Sequence, residues 1–152
     1  MSAADRLAAL GLTLPAPPQP AGAYTRAVQA GDLIFLSGQL PMETGQIKYA
    51  GTVGDQLSEE EGYAAARLCA LNALSILQAE LGSLEQIGRI VRLGGFVCCA
   101  PGFSGQAGVL NGASELVHAV FQERGVHARF AVGSPGLPLN AAVELEVIAQ
   151  AS

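Results

Sequence analysis

Between Ser58 and Gly82 large apolar side chains recur every three or four residues, at Leu68, Leu71, Leu74, Leu77 and Leu81. That spacing predicts a helix with one apolar stripe facing a sheet. Ser58 followed by Glu61 forms a capping box, Glu59 to Glu61 set negative charge against the helix N-terminus, and Gly82 ends it. A second helix is predicted from Asn111 to Arg124, with Ala113, Val117, Val120 and Phe121 on one side and Gly125 as its stop. Residues 4–12 read as a short amphipathic helix carrying Leu7, Leu10 and Leu12. The proline-rich run from Leu14 to Pro20 then forces an extended connection, so residues 1–20 read as an N-terminal extension to a domain over 21–152.

Strand signals fill the intervals. Tyr24 to Ala30 and Leu33 to Ser37 flank Gly31-Asp32, a hairpin turn, and Pro41 stops the pairing after Ser37-Gly38-Gln39. A short strand is expected at Ile47 to Tyr49. Ile87 to Cys99 is long and β-branched, and Gly94-Gly95 in its middle points to a bulge or to close approach by another backbone. Ala100 to Gly108 reads as a loop. From His127 to Gln150 two strand-like runs flank a Gly/Pro-rich turn, the first carrying Arg129 and the second Glu144 and Glu146. In the last run Val143, Leu145 and Val147 point to the core, while Glu144, Glu146 and Ile148 suit a subunit interface with solvent-filled clefts.

The order ββ-α-β-α-ββ predicts an α+β domain, a mixed sheet with two helices on one face and the other face needing cover. One domain of 152 residues buries roughly two-thirds of its unfolded surface. A mean hydropathy of +0.36 with only 14% charged residues leaves apolar surface that favours an oligomer. A net charge of −5, with eight basic residues in no cluster, argues against a nucleic-acid partner and against an anionic membrane. The N-terminus has no export signal, and the odd count of three cysteines suits reduced thiols in a cytoplasmic protein. Cys98 and Cys99 would point to opposite strand faces, and with His118 and His127 they match no zinc spacing, so no metal site is expected.

Charge inside an apolar strand must pair, line a cleft or face water, because burying it alone costs several kcal/mol, roughly. Arg129 and Glu144 are therefore the candidate residues of one polar cleft. Spacing by itself favours a plainer account, a salt bridge on a solvated sheet face. Tyr24 also reads as a half-buried strand aromatic and Asn111 as an N-cap. His127 reads as a ligand for an anion or proton, or as an ordinary surface or interface residue, and His118 as structural. Gly51 to Gly54 lack the spacing and the lysine of a phosphate loop.

Gly22-Ala23-Tyr24, Ser37-Gly38-Gln39 with Pro41, Asn72, Asn111, Ala128-Arg129, Leu137-Pro138 and Val143-Glu144-Leu145-Glu146 stand in an order that resembles the RidA/YjgF family. These are the reactive intermediate deaminases once labelled L-PSP endoribonucleases, and the resemblance covers roughly residues 20–150. It implies a chorismate-mutase-like fold, a homotrimer and three clefts at the subunit interfaces. It also implies cofactor-free hydrolysis of small enamine/imine (2-imino acid) intermediates to 2-oxo acids and ammonia. Arg129 would grip the substrate carboxylate and keep Glu144 ionised, and Glu144 would hold the attacking water. Tyr24 and Asn111 would line the cleft, with backbone near Gly38 and Ala131 touching the ligand.

Two alternatives stand beside that activity: a non-catalytic trimer that binds small carboxylates, and the endoribonuclease of the older label. Where the deaminases carry Pro-Ala-Arg-Ser and then Cys, this chain has His127-Ala128-Arg129-Phe130-Ala131. That departure, the first 20 residues and the 98–108 loop identify it with an uncharacterised subgroup.

Overall fold

The computed structural model describes residues 1–152. Along the chain run α1 (Ala3–Ala9), β1 (Ala27–Ala30), β2 (Leu33–Leu36), β3 (Met42–Glu43), β4 (Gln46–Ile47), α2 (Glu59–Leu81), β5 (Ile87–Cys98), α3 (Gln106–Phe121), β6 (Ala128–Ser134) and β7 (Val143–Ala151). Five strands form one sheet in the order β1-β2-β7-β5-β6, and β3 with β4 makes a small ribbon beside it. Every neighbour in the large sheet is antiparallel except β5 and β6. Those two are parallel because α3 carries the chain back to the starting end between them.

Ser58 caps α2 as its sequence demands: its hydroxyl accepts from the Glu61 N–H while the Glu61 carboxylate accepts from the Ser58 N–H. Gly82 then turns left-handed at φ 86° and closes the helix. Both long helices lie on one sheet face, and α1 docks on α3 rather than on the sheet. Ala3 and Leu7 belong to the same core as the sheet residues, and Arg6 Nε donates to the Val120 carbonyl at 2.6 Å, so α1 is no free arm.

The leucine stripe predicted for α2 is not its core face. Leu74 and Leu77 are buried, but Leu68, Leu71 and Leu81 are only half-buried, and the sheet and α3 meet Ala65, Ala66, Cys69, Ala70, Ala73 and Ile76. Small side chains win because the two helices approach closely. A Cβ added at Gly112 of α3 would overlap the Tyr63 carbonyl oxygen, a backbone atom with little freedom to move. Leu68 and Leu71 instead floor a shallow hollow with Leu12 and Tyr49. The bulge expected at Gly94-Gly95 lies elsewhere, between Ile87 and Arg89 and between Ile90 and Arg92. Gly94 makes room for the Phe130 ring on one face, and Gly95 for Leu110 on the other.

Along β7 Val143, Leu145, Val147 and Ala149 are fully buried beneath the helices, each contributing on the order of 1–3 kcal/mol. The opposite face is open. It presents Val28 (56% exposed), Phe35 (41%), Phe96 (38%) and Val132 (44%) around the ion pair Arg92–Glu146. Arg92 also lies over the Phe130 ring, 5.4 Å from its centroid, and its buried Nε has no hydrogen-bond partner in the chain.

Candidate functional site

Arg129 sits near the start of β6, an edge strand, opposite Leu93 of β5, which is buried against the helices. Its side chain therefore meets α3. Nη1 donates to Asn111 Oδ1 at 2.8 Å and to Ser114 Oγ at 3.2 Å, and Nη2 donates to the Ala107 carbonyl at 3.4 Å. All three acceptors are neutral, and none of the four ion pairs of the chain includes Arg129. The guanidinium is held in place with its charge uncompensated, as an anion anchor requires. Asn111 is no N-cap: α3 begins five residues earlier, after Gly105, and Asn111 lies within the helix. It faces β6 together with Ser114, one turn further on.

Glu144 lies on the open face of β7, paired with Phe96. After β2 the chain continues beside β7, where Gln39 and Leu145 exchange backbone hydrogen bonds of 2.8 and 2.9 Å. That pairing puts Gly38 against the Glu144 carboxylate. Asn72, buried on α2, secures the same segment by donating to the Leu40 and Met42 carbonyls at 3.1 and 3.0 Å. Burial raises the Glu144 carboxyl above its ordinary value, and no ion pair opposes the rise. Next to it Tyr24 and Gly38, with Pro18, Pro20 and Ser37, line a hollow of about 40 Å³. Tyr24 is an exposed ring whose hydroxyl accepts from the Ala21 N–H.

The expected convergence of Arg129 and Glu144 does not occur within one chain. Arg129 is level with Leu93 and hence with Val147, Glu144 is level with Phe96 and hence with Val132, and β5 runs between them. Two strand spacings and three residues of rise place their backbones ~14 Å apart, on opposite sheet faces. Within one chain Arg129 therefore does not oppose the burial that raises the Glu144 carboxyl. The salt bridge that spacing favoured exists between other residues, Arg92 and Glu146, at 2.5 Å. One chain thus holds the candidate residues in two separate groups: Arg129 with Asn111 and the partly buried Ala131 on the helix side of the β6 edge, and Glu144 against Gly38 on the open side, with Tyr24 in the hollow that Gly38 also lines.

Ser114 joins the candidate residues through its bond to Arg129, and sequence reading missed it. Its signal was position, three residues after Asn111 and so on the same helix face. Among the thiols, Cys69 is buried, and burial first, then the Glu144 charge, pushes its pKa well up. Cys98 and Cys99 are free and serve other contacts, with Thr52 and Pro135 and with Gln106. No group of three or more His, Cys, Asp or Glu side chains is placed to hold a metal ion, and no helix is long and apolar enough to cross a membrane.

A family model described as "YjgF/chorismate_mutase-like, putative endoribonuclease" matches residues 4–150. The chain belongs to the YjgF family. Within it, Protein TCP17 of Trypanosoma cruzi is 44% identical over 148 residues, which cover 97% of this chain and 92% of that protein. The crystal structure of Atu1372, a protein of unknown function from Agrobacterium tumefaciens, is 42% identical, covers 99% of this chain and 92% of its own, and superposes with a TM-score of 0.93. Escherichia coli TdcF with bound serine is 27% identical over 93% of this chain and 97% of its own, with a TM-score of 0.62. The chain therefore sits with Atu1372 in a branch of the YjgF family whose backbone departs from that of TdcF.

Proposed function

We propose that this YjgF protein is a cofactor-free hydrolase of small 2-imino acids and their enamine tautomers, working in clefts between three copies of the chain. The observation that carries this reading is the pair of complementary half-sites. A guanidinium clamped by neutral acceptors stands on one face of the sheet, and an unpaired carboxyl of raised pKa stands on the other. Assembly through the open apolar face would set the half-site of one copy against the other half-site of its neighbour. The exposed Val28, Phe35, Phe96 and Val132, and the unpartnered Arg92 Nε, support that contact.

In such a cleft Arg129 takes the substrate carboxylate in its planar fork of donors. Glu144 accepts a proton from a water as that water adds to the imine carbon, giving a carbinolamine. Glu144 then passes that proton to nitrogen, takes the hydroxyl proton as the C–N bond breaks and the C=O bond forms, and the 2-oxo acid and ammonia leave. A protonated imine is already electrophilic, so an anion anchor and one placed water supply most of what the step needs. A carboxyl of raised pKa is a stronger base once ionised, which suits the role.

Incubation with freshly generated 2-imino acids of several side chains, with ammonia and 2-oxo acid followed in time, tests the reading. Rates equal to buffer for every side chain exclude it. The serine bound to TdcF favours a second reading, non-catalytic binding of small carboxylates. Calorimetry with 2-oxo acids separates the two. Endoribonuclease activity ranks last, since the chain is acidic and its eight basic residues form no cluster in the sequence.

A further inference from the structure

His127 and Ser114 form a hydrogen-bonded chain that ends on Arg129. His127 Nδ1 lies 2.6 Å from the Gly125 carbonyl, His127 Nε2 lies 2.9 Å from Ser114 Oγ, and Ser114 Oγ accepts from Arg129 Nη1 at 3.2 Å. A carbonyl only accepts, so Nδ1 carries the hydrogen. In the neutral ring Nε2 is then a lone pair, and the Ser114 hydroxyl donates to it. With its one hydrogen committed, Ser114 offers Arg129 only lone pairs. Neutral His127 thereby sets Ser114 as an acceptor, and Ser114 with Asn111 fixes the guanidinium.

We propose that Ser114 and His127 are positioning residues for Arg129, orienting its guanidinium and making its environment follow the protonation of His127. When the ring gains a proton, Nε2 becomes a donor and the Ser114 hydroxyl must reverse. Its oxygen is then shared between two cationic donors, and the 3.2 Å contact, longer than the 2.8 Å bond to Asn111, is the one that weakens. Other charges around the ring are few. Glu115 and His118 of α3 line the 290 Å³ depression beside it, and Glu115 is bonded to Tyr63 of α2. Arg124 in the preceding turn is held by Glu85 and the Ile87 carbonyl. Arg92 of β5, in register with Ala128, is paired with Glu146 on the open face.

Nitrogen-15 spectra of the full-length protein, titrated from about pH 5 to about pH 8, test this. The Arg129 Nε–Hε resonance is expected to move with the same midpoint as the His127 ring nitrogens. That step should vanish in Ser114→Ala and return in Ser114→Thr. His127→Gln, at a part-exposed strand start, carries the same test if Ser114→Ala does not fold, because glutamine keeps an acceptor for Ser114 and does not titrate. An Arg129 resonance indifferent to His127 in the wild type, or one that moves equally in the variants, overturns the proposal.

The consequence for ligand binding rests on the carboxylate reading above and has its own measurement. Ser114→Ala should weaken 2-oxobutanoate about three- to tenfold by calorimetry, with Ser114→Thr within about twofold of wild type. Failure of wild type to bind 2-oxobutanoate, with Arg129 still following His127, removes the carboxylate reading and leaves the positioning role. Unchanged binding in Ser114→Ala with no coupled resonance removes the positioning role alone.

Discussion

Gly38 and Glu144 share one point on the open sheet face: a Cβ built on Gly38 would overlap Glu144 Oε1. Gly38→Ala should therefore displace the carboxylate and little else, since a glutamate arm can swing away. The expected outcome is imine hydrolysis slowed on the order of a hundredfold with the melting temperature almost unchanged. Parallel assays of ammonia release and thermal unfolding check it, and an active Gly38→Ala enzyme would show that the carboxylate's present place is unimportant.

Arg129 presents a planar fork to any anion and is braced by Asn111 and Ser114. Arg129→Ala should weaken 2-oxo acid binding about 10- to 100-fold, as expected for losing hydrogen bonds to a charged group. Arg129→Lys should recover little of it, because an ammonium cannot reproduce the two-pronged geometry. Calorimetry on both variants decides; equal affinity for wild type and Arg129→Lys would mean that only the charge matters.

Burial lifts the Glu144 carboxyl, so the folded chain holds that proton more tightly than the unfolded chain does. The stability this group contributes is complete below its unfolded pKa and is lost as pH rises through the folded one. Glu144→Gln, neutral throughout, should have a higher urea midpoint than wild type at neutral pH, and the advantage should disappear under acid conditions. Denaturation curves across pH at fixed protomer concentration test the sign. A variant less stable than wild type at neutral pH would mean that a neighbouring copy supplies Glu144 with a favourable partner.

Gly112 meets the Tyr63 carbonyl oxygen where α2 and α3 cross. Gly112→Ala forces two backbones apart, and a loss of about 1–3 kcal/mol is expected despite alanine's better helix propensity. Urea unfolding measures it directly.

Phe35 and Phe96 are exposed on the open face. Phe96→Glu should lower the sedimentation coefficient to that of a single chain and abolish hydrolysis together, since each cleft would need two copies. A monomer that remains fully active would remove the shared-cleft reading.

Much of the fold was legible because caps and turns are local chemistry. Ser58, Glu61 and Gly82 fix α2 within one residue, and Gly31-Asp32 fixes the first hairpin. Leucine spacing predicts the wrong core face for α2, because close helix crossing selects small residues over large ones. The apolar spacing predicts α3 from about Asn111, yet Gly105 opens the helix without any side-chain cap. Arg129 and Glu144 stood out as charges in apolar strands. That they occupy opposite faces followed from their register across β5, a non-local property that alternation along single strands does not contain.

The parallel crossover from β5 through α3 to β6 keeps every partner of Arg129 within a short stretch of chain, from Ala107 to Arg129. Glu144, by contrast, depends on Gly38, more than a hundred residues away in sequence, meeting β7. Local fraying of the β1–β2 hairpin would thus displace the proposed base while leaving the proposed anchor in place, and hydrogen exchange should find the surroundings of Glu144 and of Arg129 in separate cooperative units.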